Sequence, residues 1–378
     1  VNRTIFRRAM VPGVAALAMT LTACGGDTSE GDSANADGGD TGSSENTAGD
    51  DASSLSGSLA GAGASSQGAA MEAWIAGFAG VAPDVTVTYD PIGSGGGRDQ
   101  FTSGGVAFAG SDAYLDEEEV SAAQETCGGD FIEFPAYISP IAVAYNLPGV
   151  EELNLSPSVM AQIFDMQITQ WNDPAIQELN EGVELPDMAI TPVHRSDESG
   201  TTENFVDYLS QAAPEDWSYE VSGDWPVQGG EAAAQTQGVA QALNGGEGTI
   251  GYLDASQVGD LGVASVQVGE EFVAYSPEAS AAAVDAAERV EGRGEHSYAI
   301  DLPRDTEESG VYPIVLVSYQ LACTSYDDAN TAELVQGFFS YLISEEGQQM
   351  AAEHAGSAPI SETLRGNAQE AIDAISAG

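Results

Sequence analysis

Apolar runs of strand length alternate with runs of helical period along this chain, and that alternation limits its fold more than any other feature. Residues 85–89, 105–109, 140–145, 188–194, 249–252 and 312–319 read as strands, several of them apolar on both faces. Residues 67–80, 156–164, 202–211, 235–243 and 329–344 carry the helical spacing. Such a succession predicts an α/β architecture with mostly parallel sheets. No internal repeat is present, and roughly 320 residues beyond the polar N-terminal stretch suit two domains.

Three Ser/Gly-rich turns fall where strands hand over to helices. They are Gly61-Ala62-Gly63-Ala64-Ser65-Ser66, Gly93-Ser94-Gly95-Gly96-Gly97 and Ser199-Gly200-Thr201-Thr202. The first N–H groups of a helix lack internal partners and lie at the positive end of its dipole. Glycine lets a ligand approach the backbone, and Ser or Thr adds a hydroxyl while capping the helix. One such turn is no more than a capped helix start. Three together form a cradle for an oxyanion.

Arg195 stands directly before the third turn. Its guanidinium can fork onto two oxygens of an anion, and Asp197 is placed to orient it. Asp112, in Phe108-Ala109-Gly110-Ser111-Asp112, follows an apolar strand. As a bland alternative it is a turn or cap aspartate. Facing an anion, it is repulsive unless that anion carries a proton to donate. Phosphate has one near neutral pH and sulfate does not, so an acceptor there rejects sulfate and molybdate but not arsenate. Catalytic constellations are thin. His194, His296 and His354 lack metal-ligand spacing, HExxH, CxxC and GxSxG are absent, and without lysine there is no Walker-type loop or Schiff base. His194 reads as structural. The chain is therefore expected to be a binding protein rather than an enzyme, with neither cofactor nor metal; a hydrolase, an adhesin and a phosphate sensor are the competing classes.

The N-terminus predicts export. Arg3, Arg7 and Arg8 precede an apolar stretch, 9–22, that is short for a permanent span and reads as a cleavable signal. It ends in Leu21-Thr22-Ala23-Cys24-Gly25, the lipobox pattern, so 1–23 is expected to be a lipoprotein signal peptide and Cys24 the lipidated residue. Beyond Cys24, residues 25–54 are Gly, Ser, Asp, Glu, Asn, Thr and Ala with hardly an apolar group, and 24–54 is expected to be an acidic, disordered tether. The chain has 60 acidic and nine basic residues, a net charge of −51; removal of 1–23 takes away three arginines and no acid, giving −54. Such a surface disfavours nucleic acid and anionic membranes, which leaves membrane attachment to the lipid alone. Cys127 and Cys323 remain as a candidate disulfide.

Together these motifs resemble the phosphate-binding proteins of high-affinity phosphate ABC transporters, a type II periplasmic-binding-protein family. The similarity runs over about 55–364. It adds Ile168-Thr169-Gln170-Trp171-Asn172-Asp173-Pro174, Gly248-Thr249-Ile250-Gly251-Tyr252 and Tyr312-Pro313-Ile314-Val315 to the segments above. The resemblance implies a two-lobed fold: lobe 1 from 55–140 and 315–378, lobe 2 from 146–308, and hinge segments at 140–146 and 312–318. It implies that Ser65, Ser66 and Ser94 donate to phosphate, and that Asp112 accepts the phosphate proton. Arg195, held by Asp197, would contact its oxygens, and Ser199, Gly200 and Thr201 would donate from the helix start. Some relatives carry an aromatic residue at the Ser66 position, and no ligand contact is expected in 230–235. The implied partners are inorganic phosphate and ABC-transporter permease subunits, for a monomer anchored outside the cytoplasm.

Overall fold

The computed structural model describes residues 52–378. The signal segment, Cys24 and nearly all of the tether lie outside the described residues. Among the described residues, nine strands form the main sheet: β1 (Ser56–Gly63), β2 (Asp84–Asp90), β3 (Phe108–Ser111), β4 (Phe131–Asn146), β5 (Thr191–Arg195), β6 (Glu231–Ala233), β7 (Thr249–Asp254), β8 (Gly262–Val263) and β9 (Val315–Cys323). Their order is β2-β1-β3-β9-β4-β7-β5-β6, with β8 also on β4. Pairing is parallel among β1, β2 and β3 and among β5, β6 and β7, as strand–helix alternation requires. The two central strands depart from that expectation. β9 runs antiparallel to both β3 and β4, and β4 antiparallel to β7.

Strand β4 divides the sheet. Its residues up to Pro140 pair with β9, whereas Ile141 to Asn146 pair with β7. Proline lacks the N–H that a continuous ladder needs, so Pro140 sits at the change of partner. One half-sheet holds β1, β2, β3 and β9, and the other holds β5, β6 and β7. Helices flank both halves: α1 (Gly68–Val81), α2 (Ser94–Thr102) and α3 (Glu117–Thr126) belong with the first, α4 (Gly200–Ala212) and α5 (Gln235–Gly245) with the second. Trp74, Phe78, Phe108, Phe338 and Phe339 anchor the core of the first half. In the second, Phe205 and Trp225 stack on Tyr252, and Phe164 packs edge-on against Phe205 and Tyr252.

Two differences from the sequence reading have clear causes. The strand expected at 105–109 begins only at Phe108, because Gly104 (φ 73°) and Gly105 end α2 by donating to the carbonyls of Phe101 and Gln100. Residues 288–301, expected within 146–308, pack instead on the first half-sheet. Glu133 N–H donates to His296, Tyr298 N–H to Glu133, and Ile300 N–H to the Tyr319 hydroxyl. Buried Glu133 explains the attraction. Burial raises its pKa, and Arg293, the Ser297 hydroxyl and Leu115 N–H oppose that rise. Cys127, capping the end of α3, forms a disulfide with Cys323 at the end of β9, with 5.2 Å between Cα atoms.

Candidate functional site

The three Ser/Gly-rich turns leave the C-terminal ends of β1, β2 and β5, where ligands collect in α/β sheets. Close backbone approach explains their glycines. A Cβ on Gly63 (φ 146°) would lie 2.0 Å from the Gly110 carbonyl oxygen, so the turn after β1 can rest on the end of β3 only with glycine there. Ala64 N–H donates to Gly110, and Gly93 N–H donates to Gly63. The turns after β1 and β2 are thus fastened to one another and to the segment carrying Asp112.

Asp112 lies at the centre, 3% exposed. Ser66 Oγ donates to both its carboxylate oxygens at 2.7 Å, Thr201 Oγ1 to Oδ2 at 3.0 Å, and Ser318 Oγ to Oδ1 at 2.5 Å. Its backbone N–H donates to Ser94 Oγ, and its carbonyl accepts from Asn204 Nδ2 at 2.7 Å. Burial raises its pKa; the hydroxyls of Ser318, Ser66 and Thr201 and the charge of Arg195 act against that. Thr201 and Asn204 belong to α4, so the second half-sheet meets the first at this carboxylate.

Arg195, at the end of β5, is 3% exposed. Asp197 grips it bidentately, with Nε–Oδ1 2.8 Å and Nη2–Oδ2 2.5 Å. Desolvation would raise the Asp197 pKa, but its bonds with Arg195, the Arg195 charge and Gln235 N–H bring it below the ordinary value. Nη1 of Arg195 makes no hydrogen bond to any other described residue. The guanidinium is therefore oriented yet keeps donors in hand, as an anion clamp needs.

The remaining expected residues have distinct surroundings. Ser199 is the N-cap of α4: its Oγ accepts from Thr202 N–H, and its own N–H donates to Gly223. Gly200 packs so closely that a Cβ would stand 2.6 Å from Asp112 Cβ and 2.8 Å from Ser94 Oγ. Ser65 turns toward the start of α5, where its Oγ accepts from Thr236 N–H and lies 3.1 Å from Thr236 Oγ1. The structure thus gathers Ser66, Ser94, Asp112, Gly200 and Thr201 in one place and directs Ser65 to Thr236.

Sequence reasoning missed several participants. Gln235 ends the 230–235 segment in which no ligand contact was expected, and Thr236 follows it; Gln235 has φ 62°, an unusual backbone for a residue with a side chain, and its N–H reaches Asp197. Ser318 carries a legible signal, a hydroxyl in the otherwise apolar run Val315-Leu316-Val317-Ser318. Arg98 bridges the halves, with Nε on Glu119 and Nη2 on Glu198, both at 2.7 Å, and Nη1 on Ser111. Beside it, burial lifts Glu203 to about 7; Arg98 pulls it down, and Glu119, Glu198 and Asp207 push it up. His194 stacks on Trp225 at 5.2 Å and bonds the carbonyls of Arg195 and Gly229, a structural position. No metal-binding group of His, Cys, Asp or Glu occurs among the described residues.

Comparisons with known proteins agree with this geometry. Residues 41–346 match the family model of the PBP superfamily domain. The phosphate-binding protein PstS 2 of Mycobacterium tuberculosis is 34% identical, over 97% of this chain and 98% of its own length. PstS of Xylella fastidiosa is 32% identical over 78% of this chain and 79% of its own. Among solved structures, a high-affinity periplasmic phosphate-binding protein bound with phosphate aligns with a TM-score of 0.66 at 21% identity, covering 83% of this chain and 93% of that one. A phosphate-binding protein from Stenotrophomonas maltophilia aligns with a TM-score of 0.65 at 20% identity, covering 83% and 93%. These structural likenesses establish the two-lobed periplasmic-binding-protein fold.

Proposed function

We propose, from the premise that this chain belongs to the PstS family of phosphate-binding proteins within the PBP superfamily, that it captures inorganic phosphate outside the cytoplasm and delivers it to an ABC importer. The observation that carries this reading is Asp112, a buried acceptor ringed by hydroxyl donors beside an oriented arginine. Arg195, the α4 start at Gly200 and Thr201, and the hydroxyls of Ser66 and Ser94 would hold phosphate oxygens, while Asp112 takes the ligand's proton. A sulfate would meet the same carboxylate with no proton to offer, two negative charges pressed together in a dry site.

In this reading the lobes are 55–140 with 315–378, and 146–308, joined at 140–146 and 312–318. The contacts of residues 288–301 with Glu133 and Tyr319 favour moving that segment to the first lobe. The Asp112–Thr201, Asp112–Asn204, Ser65–Thr236 and Arg98–Glu198 contacts then all cross between lobes and would form as they close on the anion. Lipidation at Cys24, a monomeric state and docking on permease subunits complete the proposal. Calorimetric titration of wild type and Asp112→Asn with phosphate and with sulfate tests it. Wild type should bind phosphate far more tightly than sulfate, and Asp112→Asn should narrow the gap. Failure of wild type to bind phosphate would remove the function; equal affinity for both anions would remove the discrimination mechanism.

A further inference from the structure

Strand β9 contains two fully buried polar side chains, Ser318 and Gln320, both with 0% exposure. A buried hydroxyl is costly unless bonded, so what each one bonds matters. Gln320 Nε2 donates to Gln67 Oε1 behind the turn after β1. Ser318 Oγ donates to Asp112 Oδ1 at 2.5 Å. An ionised carboxylate only accepts, so this serine spends its one proton on Asp112.

We infer that Ser318 is a positioning residue that keeps Asp112 a proton acceptor and so sets the pH range over which the site prefers a protonated anion. The inference rests on the proposed phosphate capture. Ser66 and Thr201 also bond Asp112, but both stand at the turns proposed to hold the ligand, so their hydroxyls would be shared with it. Ser318 approaches from β9, outside the turns proposed to hold the ligand, so in this reading its bond to Asp112 is not shared with the anion. Once protonated, Asp112 becomes a donor. It would then offer sulfate a hydrogen bond and lose its basis for rejecting it.

The charged and titratable groups facing Asp112 leave room for such control. Arg195 at the end of β5 favours the carboxylate; Asp254 at the end of β7 opposes it. Tyr137 on β4 and Tyr89 on β2 also feel the Asp112 charge, and both are held neutral by burial. Burial raises Asp112, and among the opposing influences the Ser318 hydrogen bond ranks first.

The test measures the ratio of sulfate to phosphate dissociation constants from pH 5 to 8.5 in wild type, Ser318→Ala, Ser318→Cys and Asp112→Asn, each checked for folding by thermal melt. Phosphate's own ionisation is common to all four and cancels on comparison. In wild type the ratio should fall as pH drops through the Asp112 pKa. Loss of one hydrogen bond to a charged group corresponds to roughly one to two pK units, so Ser318→Ala should move that fall upward by about one pH unit or more. Ser318→Cys, near in size and a weaker donor, should shift it less, and Asp112→Asn should show a low, flat ratio. A Ser318→Ala profile superimposed on wild type overturns the inference, even if both anions bind more weakly. If the alanine variant does not fold, an unshifted cysteine variant overturns it equally. Wild type that binds no phosphate removes the underlying function, a result distinct from an unshifted profile.

Discussion

Gly200→Ala adds one methyl group at the point where α4 meets the loop after β3. The new Cβ would lie 2.6 Å from Asp112 Cβ, 2.8 Å from Ser94 Oγ and 3.0 Å from Ala113 N, all in the first half of the molecule. Carbon atoms come to rest at about 3.5–4.0 Å, so α4 must retreat by about 1 Å. That retreat carries Thr201 Oγ1, 3.0 Å from Asp112 Oδ2, and Asn204 Nδ2, 2.7 Å from the Asp112 carbonyl, to the limit of hydrogen bonding or past it. One bond to a charged acceptor and one to a neutral acceptor are together worth about 2–4 kcal/mol. Phosphate affinity should therefore fall by about 30- to 1,000-fold. Gly200 is not among the positive-φ glycines, so the substitution costs the helix nothing and stiffens the unfolded chain. Calorimetric titration and thermal melts with and without phosphate are the assays. The ligand-free Tm should hold or rise while the phosphate-induced increase largely disappears. A dissociation constant within threefold of wild type, in a folded variant, would refute the account of how the halves meet.

Two further outcomes follow from buried groups. Burial, with the charges of Glu119, Glu198 and Asp207, lifts the Glu203 pKa to about 7, above the ordinary glutamate value of 4.5. The stability tied to its neutral form is complete below about 4.5 and is lost as pH rises through about 7. Glu203→Gln should raise Tm at pH 8 and leave it nearly unchanged at pH 4.5; a gain equal at both would exclude this cause. The Cys127–Cys323 disulfide spans 196 residues of sequence, and chain-entropy reasoning assigns it about 5 kcal/mol. For a domain of about 330 residues that is about 7 °C in Tm. Melts of the Cys127→Ser/Cys323→Ser double variant should show that drop, and an unchanged Tm would mean the bridge constrains little.

The α/β class was legible because hydrophobic period is a local property. Strands that break the period were not. β1, Ser56-Gly57-Ser58-Leu59-Ala60-Gly61-Ala62-Gly63, has little strand propensity, yet Gly61 must lie flat beneath the Phe108 ring and Gly63 against Gly110. The first half of β4, Phe131-Ile132-Glu133-Phe134-Pro135, looks unlike a central strand because of its glutamate and proline. Glu133 is tolerated there only because Arg293 and Ser297, more than 150 residues later, arrive to bond it. Asn204 and Thr236 were missed for the same kind of reason: each is an ordinary helix residue until a partner from the other half of the chain stands opposite.

What the sequence determined by itself was the set of groups able to hold an anion: the glycines and hydroxyls at strand ends, Arg195 with its neighbour Asp197, and Asp112. These signals are short-range, because capping, helix dipoles and an i to i+2 ion pair need no distant partner. Tertiary structure alone decided which groups converge. It brought Thr201, Ser66 and Ser318 onto a single carboxylate from three separate elements, the first 89 residues away along the chain and the last 206. It also turned Ser65 aside to Thr236 and carried Arg98 across to Glu198. Hydrogen bonds act over about 3 Å, whereas the chain records only order, and folding is what converts the one into the other.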